Sequence, residues 1–265
     1  MLDALDWVRV TTPSGLPQLL ERLEIPWQCA RDRIPSPDPD DDAKLAALAG
    51  VQALARLAPD VVARLFLDEV TSERQPTRAR AYAAAGHAPP RASRSHQTNT
   101  LTRVIAALDA GTGRVFHARH SRISLPAQVA FSQQRVAACP THERLYVVLD
   151  NWPRHFHPDR LVAREPQEPR FPLRTPPNWP TQPSATARRR WGELHLPIQR
   201  LPLPTYAAWT NPIEKLWRKR RQELLHLHPW ADDLATLRAM LETWLDQFRS
   251  GDAALRRDVG LGALG

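Results

Sequence analysis

The sequence predicts an α/β fold built around one main domain, and three observations carry that prediction. Two apolar, β-branched runs, Val61 to Leu67 and Leu145 to Leu149, have the length of buried strands, and each ends on an acid. Helical patterns alternate with them: an Ala- and Leu-rich stretch from Ala43 to Leu57, and another from about Pro126 to Ala138. Near the C-terminus, Leu234, Leu237, Leu241, Trp244 and Phe248 recur at spacings of 3, 4, 3 and 4, a clean apolar helix face. A chain of 265 residues can bury one sizeable core and carry a small appendage.

Taken in order, Ser14 is a plausible cap for a short helix bearing Leu16, Leu19, Leu20 and Leu23. Pro35-Ser36-Pro37-Asp38-Pro39-Asp40-Asp41-Asp42 follows as an extended linker, stiffened by proline and by repulsion between adjacent acids. Residues 1–42 are thus an appendage and linker, 43–250 the main domain and 251–265 a tail. The first strand ends on Asp68-Glu69. Asn99 to Arg119 reads as a hairpin, with the glycines of Asp109-Ala110-Gly111-Thr112-Gly113 supplying the positive φ that a tight turn needs. The second strand ends on Asp150-Asn151. From Arg164 to Pro204 the chain holds ten prolines and little periodicity apart from Leu194 to Leu203, so about 164–200 is read as an insertion or arm. Pro212 to about Leu227 is then a helix with Ile213, Leu216, Trp217 and Leu224 on one side.

The formal net charge is +8, and it is unevenly spread. Residues 71–122 hold 9 Arg against Glu73 and Asp109, and residues 164–222 hold 12 Lys/Arg against 4 acids. Such a field favours a polyanion, most simply nucleic acid, because neutralising phosphates releases counterions. An Arg-rich, Ala-rich composition inherited from a GC-rich genome is the competing explanation. Cys29 and Cys139 have no metal-ligand spacing and read as reduced thiols of a cytoplasmic protein. Neither a signal peptide nor a stretch of about 18 apolar residues is visible, so no membrane partner is expected.

Two strands ending in acids, followed by a helix with Glu214 in its first turn, can converge three carboxylates on one edge of a sheet. Crowded carboxylates repel, and a divalent cation relieves the repulsion; oxygen donors select Mg2+ or Mn2+. Two such ions about 4 Å apart can serve both sides of a phosphodiester. Each acid also has a plain structural reading. Asp68 and Asp150 could be solvent-facing strand ends, and Glu214 falls where a capping-box glutamate belongs, three residues after Asn211 and behind Pro212.

LFLDE at 65–69, YVVLDNWPRHFHPD at 146–159 and LPTYAAWTNPIEKLW at 203–217 occur in the order seen in the mariner superfamily of DDE transposases, and the chain resembles its bacterial insertion-sequence branch. The resemblance spans about residues 60–250. It implies a ribonuclease-H-like mixed sheet flanked by helices, with the Pro/Arg-rich insertion before the last catalytic helix. It also implies that Asp68, Asp150 and Glu214 are the metal ligands and catalytic residues. The activity implied is metal-dependent cleavage and strand transfer of a mobile element, with two ions, double-stranded DNA as element end and target, a homodimer in the synaptic complex, and a bacterial, nucleoid-associated location. More weakly, TTPSGLPQLLERL at 11–23 looks like the tail of a helix-turn-helix region, and the shortened N-terminus motivates an alternative, a DNA-binding remnant without cleavage. A nuclease acting on RNA–DNA hybrids is a third reading of the same fold. The 63 residues between Asp150 and Glu214 exceed the family's usual spacing, and the arm accounts for the excess.

Glu69 and Asn151, beside two of the acids, are support candidates. So is His155, four residues after Asn151, where the family commonly has a histidine; a packed histidine is the alternative. Lys215, Arg218 and Lys219 fall at helical spacing beside Glu214 and could line a phosphate backbone, or simply form a solvated face. Arg188, Arg189 and Arg190 are further DNA-binding candidates; the adjacent Trp191 could stack on an unpaired base or anchor the arm. The His155/His157 and His226/His228 pairs lack the partners that zinc would need.

Overall fold

A 12-residue strand, β1 (Val62–Glu73), runs through the middle of the sheet and decides where everything else lies. In the computed structural model, which describes residues 15–24, 37–79, 81–82, 88–164, 177–205, 207 and 210–262, the chain divides into two compact units, Met1–Pro35 and Ser36–Gly265. The first contributes α1 (Gly15–Arg22). Ser14, Cys29, residues 35–36 of the linker, residues 165–176 of the insertion, and Tyr206, Ala208 and Trp209 lie outside the described residues.

The second unit begins with α2 (Asp41–Leu57), then β1, then the hairpin of β2 (Leu101–Asp109) and β3 (Val115–His120). Helix α3 (Leu125–Ala137), capped by Ser124, leads to β4 (Arg144–Leu149). A 3-10 turn (Pro153–Phe156), the single-turn α4 (Pro158–Leu161) and α5 (Ala185–Trp191) precede β5 (Ile198–Pro202). The chain then forms α6 (Pro212–Arg220), a π-helical turn (Arg221–Leu225), α7 (Leu234–Asp246) and α8 (Ala253–Asp258). Five strands form one sheet in the order β3-β2-β1-β4-β5. β1 is antiparallel to β2 and β2 to β3, whereas β4 is parallel to both β1 and β5.

Side chains alternate across a strand, so each strand feeds two cores. Val62 and Phe66 of β1 join Val104, Tyr146 and Val148 in a core shared with α6, α7 and α8. Ala63, Leu65 and Leu67 join Ile105, Leu145 and Val147 in the opposite core, against Val129 and Phe131 of α3 and Phe156. The same parity sets Asp68 on the α6 side and Glu69 on the α3 side.

Several elements depart from the sequence reading. The end of the proline-rich stretch, taken as arm, contains β5, which extends the sheet beside β4 through pairs such as Leu145 with Ile198. Ile198 and Leu201 provide the buried side chains, and Pro197 and Pro202 sit at an edge, where the missing N–H is tolerated. The first strand does not end at Asp68 but continues to Glu73, paired with β2. The segment after residue 250, read as tail, forms α8, whose Leu255 is buried together with the following Val259. In the hairpin, Gly113 takes φ +74, and a Cβ there would lie 2.3 Å from the Asp252 carbonyl, so glycine is required both by the turn and by the approach of α8. Among the described residues no helix is long and apolar enough to cross a membrane.

Candidate active site

The parallel register of β1 and β4 pairs Phe66 with Val148. Two residues further along each chain stand Asp68 and Asp150, on neighbouring strands about 4.8 Å apart. β4 has ended by then, at Leu149, while β1 continues, so Asp68 faces a gap beside its neighbour. Its Oδ1 accepts the Glu69 backbone N–H (2.8 Å), and its Oδ2 accepts Nε1–H of Trp217 on α6 (2.8 Å). Burial, then the charge of Glu214, push the Asp68 carboxyl up to about 7 in spite of those two hydrogen bonds.

Asp150 behaves in the opposite way. Burial acts to raise its pKa, but the hydrogen bond from His155, the Trp152 N–H and the charge of Arg160 outweigh it, and the carboxyl lies below the usual range. His155 is 1% exposed, and its Nε2 stands 3.0 Å from Asp150 Oδ1 and 3.4 Å from Glu69 Oε2. The other oxygen of Glu69 accepts from Nε2 of buried Gln128 on α3 (3.1 Å). Behind the ring, Nδ1 of His155 meets Nη1 of Arg160, itself buried. Burial pushes Arg160 down to about 10, with Glu69 and Asp150 acting the other way, so it stays cationic at neutral pH. Asn151 faces away from this group: its amide donates to the Leu203 carbonyl (2.6 Å), fixing the turn after β4 to the chain leaving β5.

Glu214 stands in the first turn of α6, on an exposed position. The capping-box reading does not hold, because Asn211 makes no side-chain cap, and its buried Oδ1 has no partner among the described residues. Burial and the charge of Asp150 raise the Glu214 carboxyl above its ordinary value, partly offset by Arg218 and Arg221. Glu214 is therefore within electrostatic reach of both aspartates.

A cavity of about 490 Å³ opens at this edge, lined by Asp68, Glu69 and Asp150, by Arg103, Arg122 and Arg154, and by Trp152. Carboxylate oxygens gathered at such an edge are the donor set that a hard divalent cation satisfies. Glu214 does not line this cavity, and among the described residues no three His, Cys, Asp or Glu side chains form a ready-made metal cage.

The other candidates are placed as follows. Arg188, Arg189, Arg190 and Arg218 are exposed, as is Lys215, whose side chain passes over Gly260. Lys219 is held in ion pairs with Glu223 (2.8 Å) and Asp258 (3.0 Å). Trp191 packs on the α3-side core, with Arg190 over its ring, which favours the anchoring role. His157 accepts the Asp159 N–H, and His228 accepts that of Trp230. The sequence reading missed Trp217, Gln128 and Arg160. The only signal for Trp217 was its place one turn after Glu214, the spacing that puts two side chains on one helix face.

A mixed sheet of this order, with acids gathered where β1 and β4 diverge, defines a ribonuclease-H-like α/β protein. Residues 63–238 match the family described as DDE superfamily endonuclease, and the chain belongs to that family. Among solved structures it is similar to the Mos1 transposase paired-end complex with left transposon end, at a TM-score of 0.52 and 15% identity, over 98% of this chain and 73% of that one. It is also similar to the Mos1 mariner paired end complex with Mn, at a TM-score of 0.51 and 13% identity, over 93% of this chain and 66% of that one. These likenesses are of fold. No curated protein matches the chain.

Proposed function

We propose that this chain is the catalytic domain of a transposase of the mariner superfamily, in its bacterial insertion-sequence branch, and that Asp68, Asp150 and Glu214 hold two divalent ions, Mg2+ or Mn2+. The observation that carries the reading is that Asp68 and Asp150 each stand two residues beyond the paired Phe66 and Val148 of adjacent strands, with burial and then the charge of Glu214 raising the Asp68 pKa. In the reaction, water cleaves a phosphodiester at the element end, leaving a 3′-hydroxyl and a 5′-phosphate; the hydroxyl then attacks a phosphodiester of the target, joining to its phosphorus and releasing the target strand's own 3′-hydroxyl. The ions would supply positive charge at the reacting phosphate. The protein's own part is to hold the carboxylates and to place Arg103, Arg122 and Arg154 around the cavity, where they neutralise the backbone phosphates of double-stranded DNA. Synapsis of two ends calls for a homodimer on the DNA.

The test is nicking of a supercoiled plasmid carrying the flanking DNA of the element, with Mg2+ or Mn2+. Asp150→Asn is expected to reduce nicking by at least about a hundredfold, the scale of losing one charge-stabilising group in a transition state. Full activity in that variant would sink the assignment. A second reading is a DNA-binding derivative that does not cut, for which the exposed Arg188, Arg189 and Arg190 would suffice without a metal. Binding retained without cleavage in the native chain would establish it.

A further inference from the structure

Arginine has donors and no acceptor, so a ring nitrogen that meets its N–H must present a lone pair. That condition applies to His155, whose Nδ1 faces Nη1 of Arg160. The proton of a neutral imidazole must then sit on Nε2, and Nε2 is the atom aimed at Asp150 Oδ1 (3.0 Å) and Glu69 Oε2 (3.4 Å). We infer that Arg160 is a positioning residue which locks His155 in its Nε2–H tautomer, making the ring a fixed donor that holds Asp150 and Glu69 together at the cleft. The inference rests on the site proposed above.

Among the described residues Arg160 makes one side-chain hydrogen bond, the one to His155. It is 2% exposed, five residues after His155, and its Nε and Nη2 have no partner among the described residues. Charges of both signs lie around it: Arg164 and Arg200, whose basicity it lowers, and the carboxylates of Glu69 and Asp150, which favour its charged form. The carboxylates account for a cation in this place, and the contact with Nδ1 adds orientation of the histidine. The result is a relay from Arg160 through His155 to Asp150 Oδ1, an oxygen that also accepts the Trp152 N–H (3.2 Å). Both of these donors fall on Oδ1. Outer contacts of this kind, which fix the orientation of a ligating group, typically change metal affinity or activity 10–100-fold when removed.

The experiment is nitrogen NMR of the histidine rings in the metal-free, DNA-free chain, with His155 assigned by its loss in His155→Gln. The native ring is expected to show a protonated Nε2 and an unprotonated Nδ1. Arg160→Met, which keeps an apolar stem and removes the donor, should give a mixture of tautomers and lower nicking about 10–100-fold, with affinity for DNA unchanged. Arg160→Lys, also a donor without a lone pair, should keep the tautomer and restore most of the nicking. A native ring protonated on Nδ1, or on both nitrogens, overturns the inference; so does Arg160→Met with the native tautomer and native nicking. Because the ring is read without metal or DNA, a chain that never nicks would count against the proposed function and leave the tautomer measurement standing.

Discussion

Trp217 buries its ring among Leu216, Ile213 and the residues of the α6-side core, and directs Nε1–H out of that core to Asp68. Trp217→Phe keeps the ring and removes the donor, so the half-buried Asp68 carboxyl loses a hydrogen bond. The expected cost is about 1–2 kcal/mol in chemical denaturation, together with reduced nicking. Asp68 itself gives a pH signature. Its pKa is raised from 3.8 to about 7, so the folded chain keeps a proton that the unfolded chain releases from about pH 4 upward. Stability should therefore fall as pH rises through that window and level off above 7. Asp68→Asn should remove that fall, and unfolding scans at pH 5 and pH 8 without metal test it; a native chain equally stable at both would contradict it. Mn2+ at pH 8 should raise the melting temperature of the native chain and leave that of Asp68→Asn unchanged. At this scale the three acids stood out as candidates because apolar runs lead into Asp68 and Asp150 and because Glu214 opens a helix, although β1 runs on through Asp68. Trp217 and Arg160 were not, because hydrophobic periodicity reports which side chains are buried and does not report where a buried N–H points.

The segment that leads into α2 is joined to the catalytic edge by hydrogen bonds from side chains. Asp38 accepts from the Thr205 backbone and hydroxyl (3.0 Å each) and pairs with buried Lys44 (2.6 Å), while Asn151, next to Asp150, stands 3.4 Å from the same hydroxyl. The chain before α2 is thus tied to the turns that carry Asp150 and lead to Glu214. Asp38→Ala removes the carboxylate from a buried ammonium and should destabilise the unit by about 3 kcal/mol. Burial alone would raise the Asp38 pKa, but Lys44 and the donors of Asp40 and Thr205 bring it down to about 2. Its contribution is present above about pH 4 and lost as pH falls toward 2, so the stability gap between the native chain and Asp38→Asn should close over that range in an acid titration. The long periodic elements α2, α3 and α7 were legible to within a few residues. β5 was not, since Pro197, Pro202 and Pro204 punctuate its apolar residues, and α8 has only six residues in which to show a period.

Over the whole molecule the basic field, legible from composition, is spent unevenly. Some cations are consumed internally, as Lys219 is by Glu223 and Asp258; others, Arg188, Arg189 and Arg190 among them, face solvent. Replacing those three by Ala should weaken binding to all DNA sequences alike and reduce the slope of log K against log salt by roughly 2–3. Lys219→Ala should leave that slope nearly unchanged, and anisotropy titrations between 50 and 200 mM salt separate the two outcomes. The margins of the sheet are interrupted at particular points. At β3, Val115 donates to the Phe248 carbonyl, and His117 and Arg119 reach Asp246 and Glu242 beside them. At β5, Pro202 withholds a donor. Among the described residues, edges so interrupted are poorer templates for a strand arriving from elsewhere. In the synapsis proposed above, a seam between two copies would then fall to helices, loops and the nucleic acid itself.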